Sequence, residues 1–240
     1  MSDSSRYWCI VPAAGVGKRM GASSSKPKQY MTLPVSEVNP VTVIETTVQR
    51  LVSIDCIEKV VVSLAAEDTY WPTLSIASHP KIEQALGGAE RCHSVLNGLL
   101  TLKQWAADED WVLVHDVARP CVRTSDIERL IGGVVQNGEG GVLGYRVRDT
   151  MKRTDRHNKI VETVERNHLW HALTPQMFRV GPLLSAIQAC LDAGILVTDE
   201  SAAMERAGIS PIMVEGASDN IKITRFEDLA LAGLFLQNQV

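Results

Sequence analysis

Short apolar runs of strand length alternate with segments of helical period along this chain. Trp8-Cys9-Ile10-Val11 ends at Pro12, Lys59 to Leu64 is rich in valine, and Trp111 to Val114 reads WVLV; Val142 to Val147 and Ile212 to Val214 are weaker runs of the same kind. Runs that are apolar throughout suit strands buried on both faces of a largely parallel sheet. Between them, Ile44, Val48, Leu51 and Val52 share one helical face, and so do Cys92, Val95, Leu96 and Leu99. Ile127, Leu130, Ile131, Val134 and Val135 follow the i, i+3, i+4, i+7, i+8 pattern. Ser125 with Glu128 has capping-box spacing, as does Thr224 with Glu227 before a last helix carrying Leu229 and Leu234. The order predicts an α/β protein with a mostly parallel sheet flanked by helices.

One stretch breaks the rhythm. Arg148 to Arg166 is dense in charge and poor in core residues, so it reads either as a solvated loop or as a projecting arm, with Lys159 to Val164 as one strand of a hairpin. Neither an internal repeat nor a low-complexity linker divides the chain, so residues 1–240 are expected to form a single domain, with 148–166 as an excursion from it.

Composition narrows the class. The chain has 240 residues, of which 45% are hydrophobic, enough to bury a sizeable core. A net charge of −4 argues against a general nucleic-acid binder. Five cysteines, odd in number and without a C-x-x-C pair, fit reduced thiols better than a disulfide framework or a zinc site. No stretch has the length of a membrane span, and the polar Met1 to Tyr7 lacks a signal-peptide core, so a cytoplasmic protein is expected.

The strongest chemical signal follows the first strand. Pro12-Ala13-Ala14-Gly15-Val16-Gly17-Lys18-Arg19-Met20 leads to Lys26-Pro27-Lys28-Gln29-Tyr30. Small residues let backbone N–H groups close around an anion. Lys18, Arg19, Lys26 and Lys28 concentrate positive charge in a net acidic chain, which suits a polyphosphate. Arg19 stands where a P-loop needs Ser or Thr, and the glycine five places before Gly17 is missing. Gly15 and Gly17 supply two glycines of a dinucleotide fingerprint, but Met20 replaces the third and no acid closes the second strand. Both familiar phosphate motifs are therefore poor fits, and a plain basic surface loop remains open. Gly87-Gly88-Ala89-Glu90-Arg91 ahead of a helix, His115-Asp116-Val117-Ala118-Arg119-Pro120 after WVLV, and Asp219-Asn220-Ile221-Lys222-Ile223-Thr224 each admit a ligand role or a structural one. For His115, a hydrogen-bonded structural role is favoured over that of a base. G-x-S-x-G, H-E-x-x-H and a placed Cys–His pair are lacking, which leaves acyl transfer and zinc hydrolysis without support.

Taken in order, PAAGxGxRM, PKQY, GGxER with Ser94, HDxARP, RDTMKR, RNxLWHALTPQ, TDE and DNIKIT run from Pro12 to Thr224. In this the chain resembles the 2-C-methyl-D-erythritol 4-phosphate cytidylyltransferases of the non-mevalonate isoprenoid pathway. The resemblance implies a Rossmann-like nucleotidyltransferase fold, CTP and 2-C-methyl-D-erythritol 4-phosphate as substrates, Mg²⁺ held mainly by the CTP phosphates, and a homodimer locked by the 148–166 arm. It implies that Arg19 and Lys28 bind the triphosphate and stabilise charge at the α-phosphate. Pro12, Ala13, Ala14, Gly15, Gly88, Ala89 and Ser94 would surround the nucleotide. Asp116, Arg119 and Lys222, the last also catalytic, would line the acceptor pocket. Thr150 and Arg166 from the partner's arm would grip the acceptor phosphate, with Thr174 nearby. RDTMKR and LWHALTPQ favour methylerythritol phosphate over ribitol phosphate as acceptor. Thr46 departs from the family's usual His, which touches only the packing of that turn.

Overall fold

The computed structural model describes residues 5–15, 26–35 and 40–239. In chain order it contains β1 (Tyr7–Pro12), β2 (Thr32–Leu33), β3 (Val41–Thr42), α1 (Val43–Val52), β4 (Ile57–Leu64), β5 (Ile82–Leu86), α2 (Arg91–Leu102), β6 (Trp111–Val114) and α3 (Thr124–Asn137). Then follow β7 (Gly141–Arg146), β8 (Met151–Thr154), β9 (Ile160–Val164), β10 (Trp170–Arg179), α4 (Val180–Asp192), α5 (Glu200–Arg206), β11 (Ile212–Glu215) and α6 (Glu227–Gln237). Seven strands form one sheet in the order β11-β7-β10-β6-β1-β4-β5. All neighbours run parallel except β10, which is antiparallel to both β6 and β7.

The expected apolar runs are the parallel strands, and the reason is burial on both faces. Cys9 and Val11 of β1, Val60 and Val62 of β4, and Trp111 and Leu113 of β6 pack with α1 and α3 in one core. Trp8 and Ile10, Val61, and Val112 and Val114 face the opposite core, under α2, α4 and α5. A third, smaller cluster ties α6 to Leu33 and Val43 through Leu229, Ala232 and Leu236. Of the two leucines noted in that last helix, Leu229 is buried and Leu234 is 54% exposed, because α6 presents Ala232, Gly233 and Leu236 to its neighbours.

The strand order reverses between β1 and β6, and their carboxyl ends open a crevice there, the usual ligand position in open α/β sheets. Three loops meet at that edge within tight limits. A Cβ on Gly87 would lie 2.1 Å from the Cβ of Ala14 and 3.0 Å from the Leu64 carbonyl oxygen, so the small residues here are required by loop-to-loop packing. Residues 148–166 form a hairpin, with β8 and β9 paired only to each other. That charged stretch thus holds a hairpin, with β9 close to the strand expected at Lys159 to Val164.

Two elements carry almost no periodic signal. β10 holds Pro175, which ordinarily demotes a run from the middle of a sheet. Its register with β7 shifts between Ala172 and Gln176, and Pro175 falls inside that irregularity. α5 is seven residues long and is held by its Asp199 cap, whose side chain accepts from the Ala202 N–H.

Both expected capping boxes are absent, and a third is present. α3 starts at Thr124, so Ser125 lies exposed inside the first turn, and no side chain caps the helix. Before α6, Asp228 rather than Glu227 accepts from the Thr224 N–H and hydroxyl, at 2.8 and 3.0 Å. The reciprocal box is Thr42 with Glu45 at the start of α1: the Glu45 N–H donates to Thr42 Oγ1, and the Thr42 N–H to Glu45 Oε2. The same turn absorbs Thr46, whose hydroxyl donates to the Thr42 carbonyl at 2.9 Å. Thr42→Ala is expected to cost about 1 kcal/mol in urea unfolding, against a few tenths at most for Ser125→Ala. Equal costs would contradict this assignment of the caps.

Candidate active site

The crevice at the β1–β6 switch is a cleft of about 440 Å³ as outlined by the described residues, within the usual range for small-molecule sites. Pro12, Ala14 and Gly15 line it from the end of β1, Gly88, Ala89 and Ser94 from the start of α2, and Asp116 from the end of β6. Lys28, Lys222 and Thr224 complete the cationic side. Residues as far apart in the chain as Pro12 and Thr224 are thus gathered at one sheet edge.

Asp116 is the electrostatic centre. It is only 8% exposed, and three cations converge on it. Arg91 Nε lies 2.9 Å from Oδ1; Lys222 Nζ and Arg119 Nε lie 2.8 and 3.6 Å from Oδ2. Burial alone would raise the pKa of this carboxyl. Arg91, Lys222 and Arg119 outweigh it and hold the pKa well below the usual carboxylate range. Arg91 in turn grips Glu200 bidentately, at 2.6 and 2.9 Å, and Glu200 is 1% exposed. Burial would lower the pKa of Arg91, but Glu200 and then Asp116 raise it, so the guanidinium stays charged.

Hydrogen bonds beneath the pocket fix the loop that bears Asp116. The Asp116 N–H donates to Thr174 Oγ1 at 3.0 Å, and Thr174 Oγ1 lies 3.0 Å from His115 Nδ1. His115 Nε2 faces the Arg119 carbonyl at 3.1 Å. A carbonyl only accepts, so Nε2 carries the proton and Nδ1 accepts from the Thr174 hydroxyl. Asn220 Nδ2 donates to the Thr174 carbonyl, and Arg119 Nη1 donates to the Asn220 carbonyl at 2.8 Å. His115 is fully buried with both nitrogens occupied. It is a structural histidine, as the residue pattern favoured.

The expected residues divide clearly. Pro12, Ala14, Gly15, Gly88, Ala89, Ser94, Lys28, Asp116 and Lys222 line the cleft. Ala13 does not: it is 1% exposed, and its carbonyl accepts from Gln29 Nε2 at 2.8 Å, a bond that seats the loop. Ser94 both lines and builds the cleft, its hydroxyl accepting from the Gly88 N–H at 3.0 Å. Lys28 Nζ donates to the Ile223 carbonyl at 3.1 Å, which ties it to the Lys222 segment. Arg119 and Thr174 lie behind Asp116 rather than in the lining. Thr150 and Arg166 both lie at the base of the hairpin, are exposed, and do not line the pocket of their own chain; an Arg166 Nη1 bond to the Arg148 carbonyl holds that base. Lys26 sits over the Tyr70 ring, 5.9 Å from its centroid. Lys18 and Arg19 lie outside the described residues. Arg91, Gln29 and Glu200 are the residues that periodicity and charge did not single out, although Arg91 and Glu200 stand in the GGxER and TDE segments.

Burial pushes the His115 pKa down to about 4. The unfolded chain, with an ordinary value near 6.5, binds the proton first as pH falls. Stability is therefore complete above about pH 6.5 and lost toward pH 4. The loss is on the order of 2 kcal/mol between pH 7 and 5. Denaturant unfolding of His115→Asn should show a shallower fall than the parent chain over that window; parallel curves would show that His115 is not the titrating group.

Comparison with known proteins agrees with the sheet. The chain is 52% identical to a 2-C-methyl-D-erythritol 4-phosphate cytidylyltransferase of Tolumonas auensis, over 97% of each chain. It is 51% identical to the enzyme of that name from Aeromonas hydrophila, over 96% of this chain and 89% of that one. A crystal structure of the Francisella tularensis 2-C-methyl-D-erythritol 4-phosphate cytidylyltransferase superposes with a TM-score of 0.80 at 34% identity, over 96% of this chain and all of that chain. The sequence pattern of the family described as IspD, 2-C-methyl-D-erythritol 4-phosphate cytidylyltransferase, matches residues 8–238. The chain belongs to the 2-C-methyl-D-erythritol 4-phosphate cytidylyltransferase family.

Proposed function

We propose that this cleft transfers the cytidylyl group of CTP to 2-C-methyl-D-erythritol 4-phosphate, giving 4-diphosphocytidyl-2-C-methyl-D-erythritol and pyrophosphate for isoprenoid precursor synthesis. The observation that carries the reading is the grouping of Lys28, Lys222 and the Arg91–Asp116 pair around small-residue loops at the sheet's switch point, in a chain matched by the family from end to end.

The chemistry follows from this charge distribution. An oxygen of the acceptor phosphate attacks the α-phosphorus of CTP in line; the new P–O bond forms as the bond to the β-phosphate oxygen breaks, and pyrophosphate departs. The attacking phosphate is mostly dianionic at neutral pH, its second pKa being about 6, so no general base is needed. A neutral, doubly bonded His115 fits that requirement. Positioning and charge neutralisation then carry the rate. Lys28, with Arg19, stabilises the charge that builds on the α-phosphate. Lys222, anchored on Asp116, holds the acceptor against the nucleotide. Pro12, Ala14, Gly15, Gly88, Ala89 and Ser94 seat the nucleotide through backbone and small side chains, and Ala13 supports that loop from behind through Gln29. Asp116, with Arg119 and Thr174 behind it, shapes the acceptor side.

Mg²⁺, when bound, neutralises charge on the triphosphate. The protein groups do not themselves form a ligand set: no cluster of three or more His, Cys, Asp or Glu is arranged for a metal among the described residues, and Asp116 is already engaged by three cations. The ion is therefore proposed to arrive on the CTP phosphates.

The hairpin completes the assembly we propose. A two-stranded ribbon is marginal on its own, and this one exposes Met151 at 39%, Ile160 at 65% and Val161 at 64%. Covering those side chains with a second copy would bring Thr150 and Arg166 to the partner's acceptor phosphate. The cytoplasm is the proposed compartment: the cysteines are unpaired, and no helix among the described residues is long and apolar enough to cross a membrane.

The direct test is pyrophosphate release with CTP and Mg²⁺ over three conditions: methylerythritol phosphate, ribitol phosphate and no acceptor. Release with methylerythritol phosphate alone is expected; release with ribitol phosphate alone would change the substrate, and silence throughout would overturn the reading. Lys28→Ala should lower kcat by at least about a hundredfold, the scale of one lost transition-state donor, and near-normal turnover would remove its role. Mixing inactive Lys28→Ala and Arg166→Ala chains should restore activity through one intact shared site. No recovery after demonstrated subunit exchange would place each site within one chain.

A further inference from the structure

Glu200 has no part in the reaction as set out above, and Arg91 enters it only as the partner of Asp116; yet the two form a charged contact at the cleft in which Glu200 is 1% exposed. Each of the three guanidinium nitrogens of Arg91 has an acidic partner: Nε bonds Asp116 Oδ1, and Nη1 and Nη2 bond the two oxygens of Glu200. All three nitrogens are thereby tied within the protein, although Arg91 borders the cleft. Glu200 is itself held rigidly. It is the first residue of α5, whose Asp199 cap accepts from Gln176 Nε2 at 2.9 Å while Gln176 Oε1 accepts from the Ser201 N–H at 2.8 Å. Gln176 belongs to β10 and is 1% exposed. The chain of contacts runs from the sheet through α5 to Arg91, then to Asp116 and Lys222.

The two oxygens of Asp116 do different work. Oδ1 is taken by Arg91, while Oδ2 faces Lys222 and Arg119. The terminal torsion of an aspartate is broad. Without a bidentate anchor behind it, the carboxylate could swing toward Arg119 and release the Lys222 ammonium. We infer that Arg91, clamped by Glu200, is a positioning residue that sets the rotation of the Asp116 carboxylate and through it the place of Lys222 over the acceptor. A lysine cannot substitute, because a point charge grips only one of its two partners. The inference rests on the assignment of the cleft as a cytidylyltransferase site.

Steady-state kinetics of Glu200→Gln and Arg91→Lys test it, with CTP affinity measured by calorimetric titration as a check that the fold and nucleotide side are intact. Each variant should lower kcat/KM for methylerythritol phosphate by about tenfold, the scale of one charge-assisted hydrogen bond. CTP affinity should stay within about twofold, a change too small to mark a lost contact. The double variant Asp116→Asn with Glu200→Gln should be no slower than Asp116→Asn alone, since the pair acts through that carboxylate. If Glu200→Gln does not fold, Arg91→Lys carries the same comparison. Equal losses toward both substrates, additive losses on the Asp116→Asn background, or an unchanged acceptor kcat/KM would overturn the positioning role. A parent chain that folds and binds CTP but turns over no acceptor would instead overturn the assignment of the site itself.

Discussion

A single buried carboxylate organises this protein. Asp116 sits at the carboxyl end of β6, almost out of solvent, where an uncompensated charge is strongly destabilising. Its compensation draws in Arg91 from α2, Lys222 from the segment before α6, and Arg119 from its own loop. Losing a partner from such a pair typically costs about 3–5 kcal/mol, so the cations around the cleft are also fastened by the fold. Two of these cations, Arg91 and Lys222, also line the cleft, so the charge that keeps the loop in place overlaps the charge that borders the pocket.

The sheet makes this convergence possible. Parallel strands buried on both faces bring the ends of β1, β4, β5 and β6 to one edge, and the reversal of strand order between β1 and β6 opens the crevice there. β10 runs the other way between β6 and β7, which delivers Thr174 beneath Asp116 and Gln176 to the cap of α5. An antiparallel strand in the middle of the sheet is thus what couples the Asp116 side of the cleft to α5. His115 belongs to this supporting layer: with one nitrogen donating to a carbonyl and the other accepting from a hydroxyl, it locks the loop and takes no proton at neutral pH.

Continuous apolar runs marked β1, β4 and β6 because both faces of those strands are covered, and the 3.6-residue period marked α1, α2 and α3 because each buries one stripe. The small-residue and cationic segments located most of the cleft, since chemistry that depends on close backbone approach restricts residue type locally. β10 and α5 escaped notice. Pro175 interrupts the one, and the other is short and held by a cap and by Gln176 from another element. The capping boxes expected at Ser125 and Thr224 failed because spacing alone does not say where a helix begins; that depends on the loop that delivers the chain, and at α3 the Asp126 carboxylate is drawn instead to the Ala217 N–H.

Alone, then, the sequence determined the fold class through its periodicity and the family through the resemblance of its ordered motifs, and it marked most of the segments that line the cleft, where close contact restricts residue type. Only the tertiary structure decided which side chain answers which. Arg91 and Glu200 are 109 positions apart, and their pairing follows from the docking of α2 and α5 against one face of the sheet. Likewise Ala13 turned inward, while Arg119 and Thr174 took places behind Asp116. These outcomes depend on hydrogen-bond satisfaction and packing across distant elements, which no local pattern in the chain encodes.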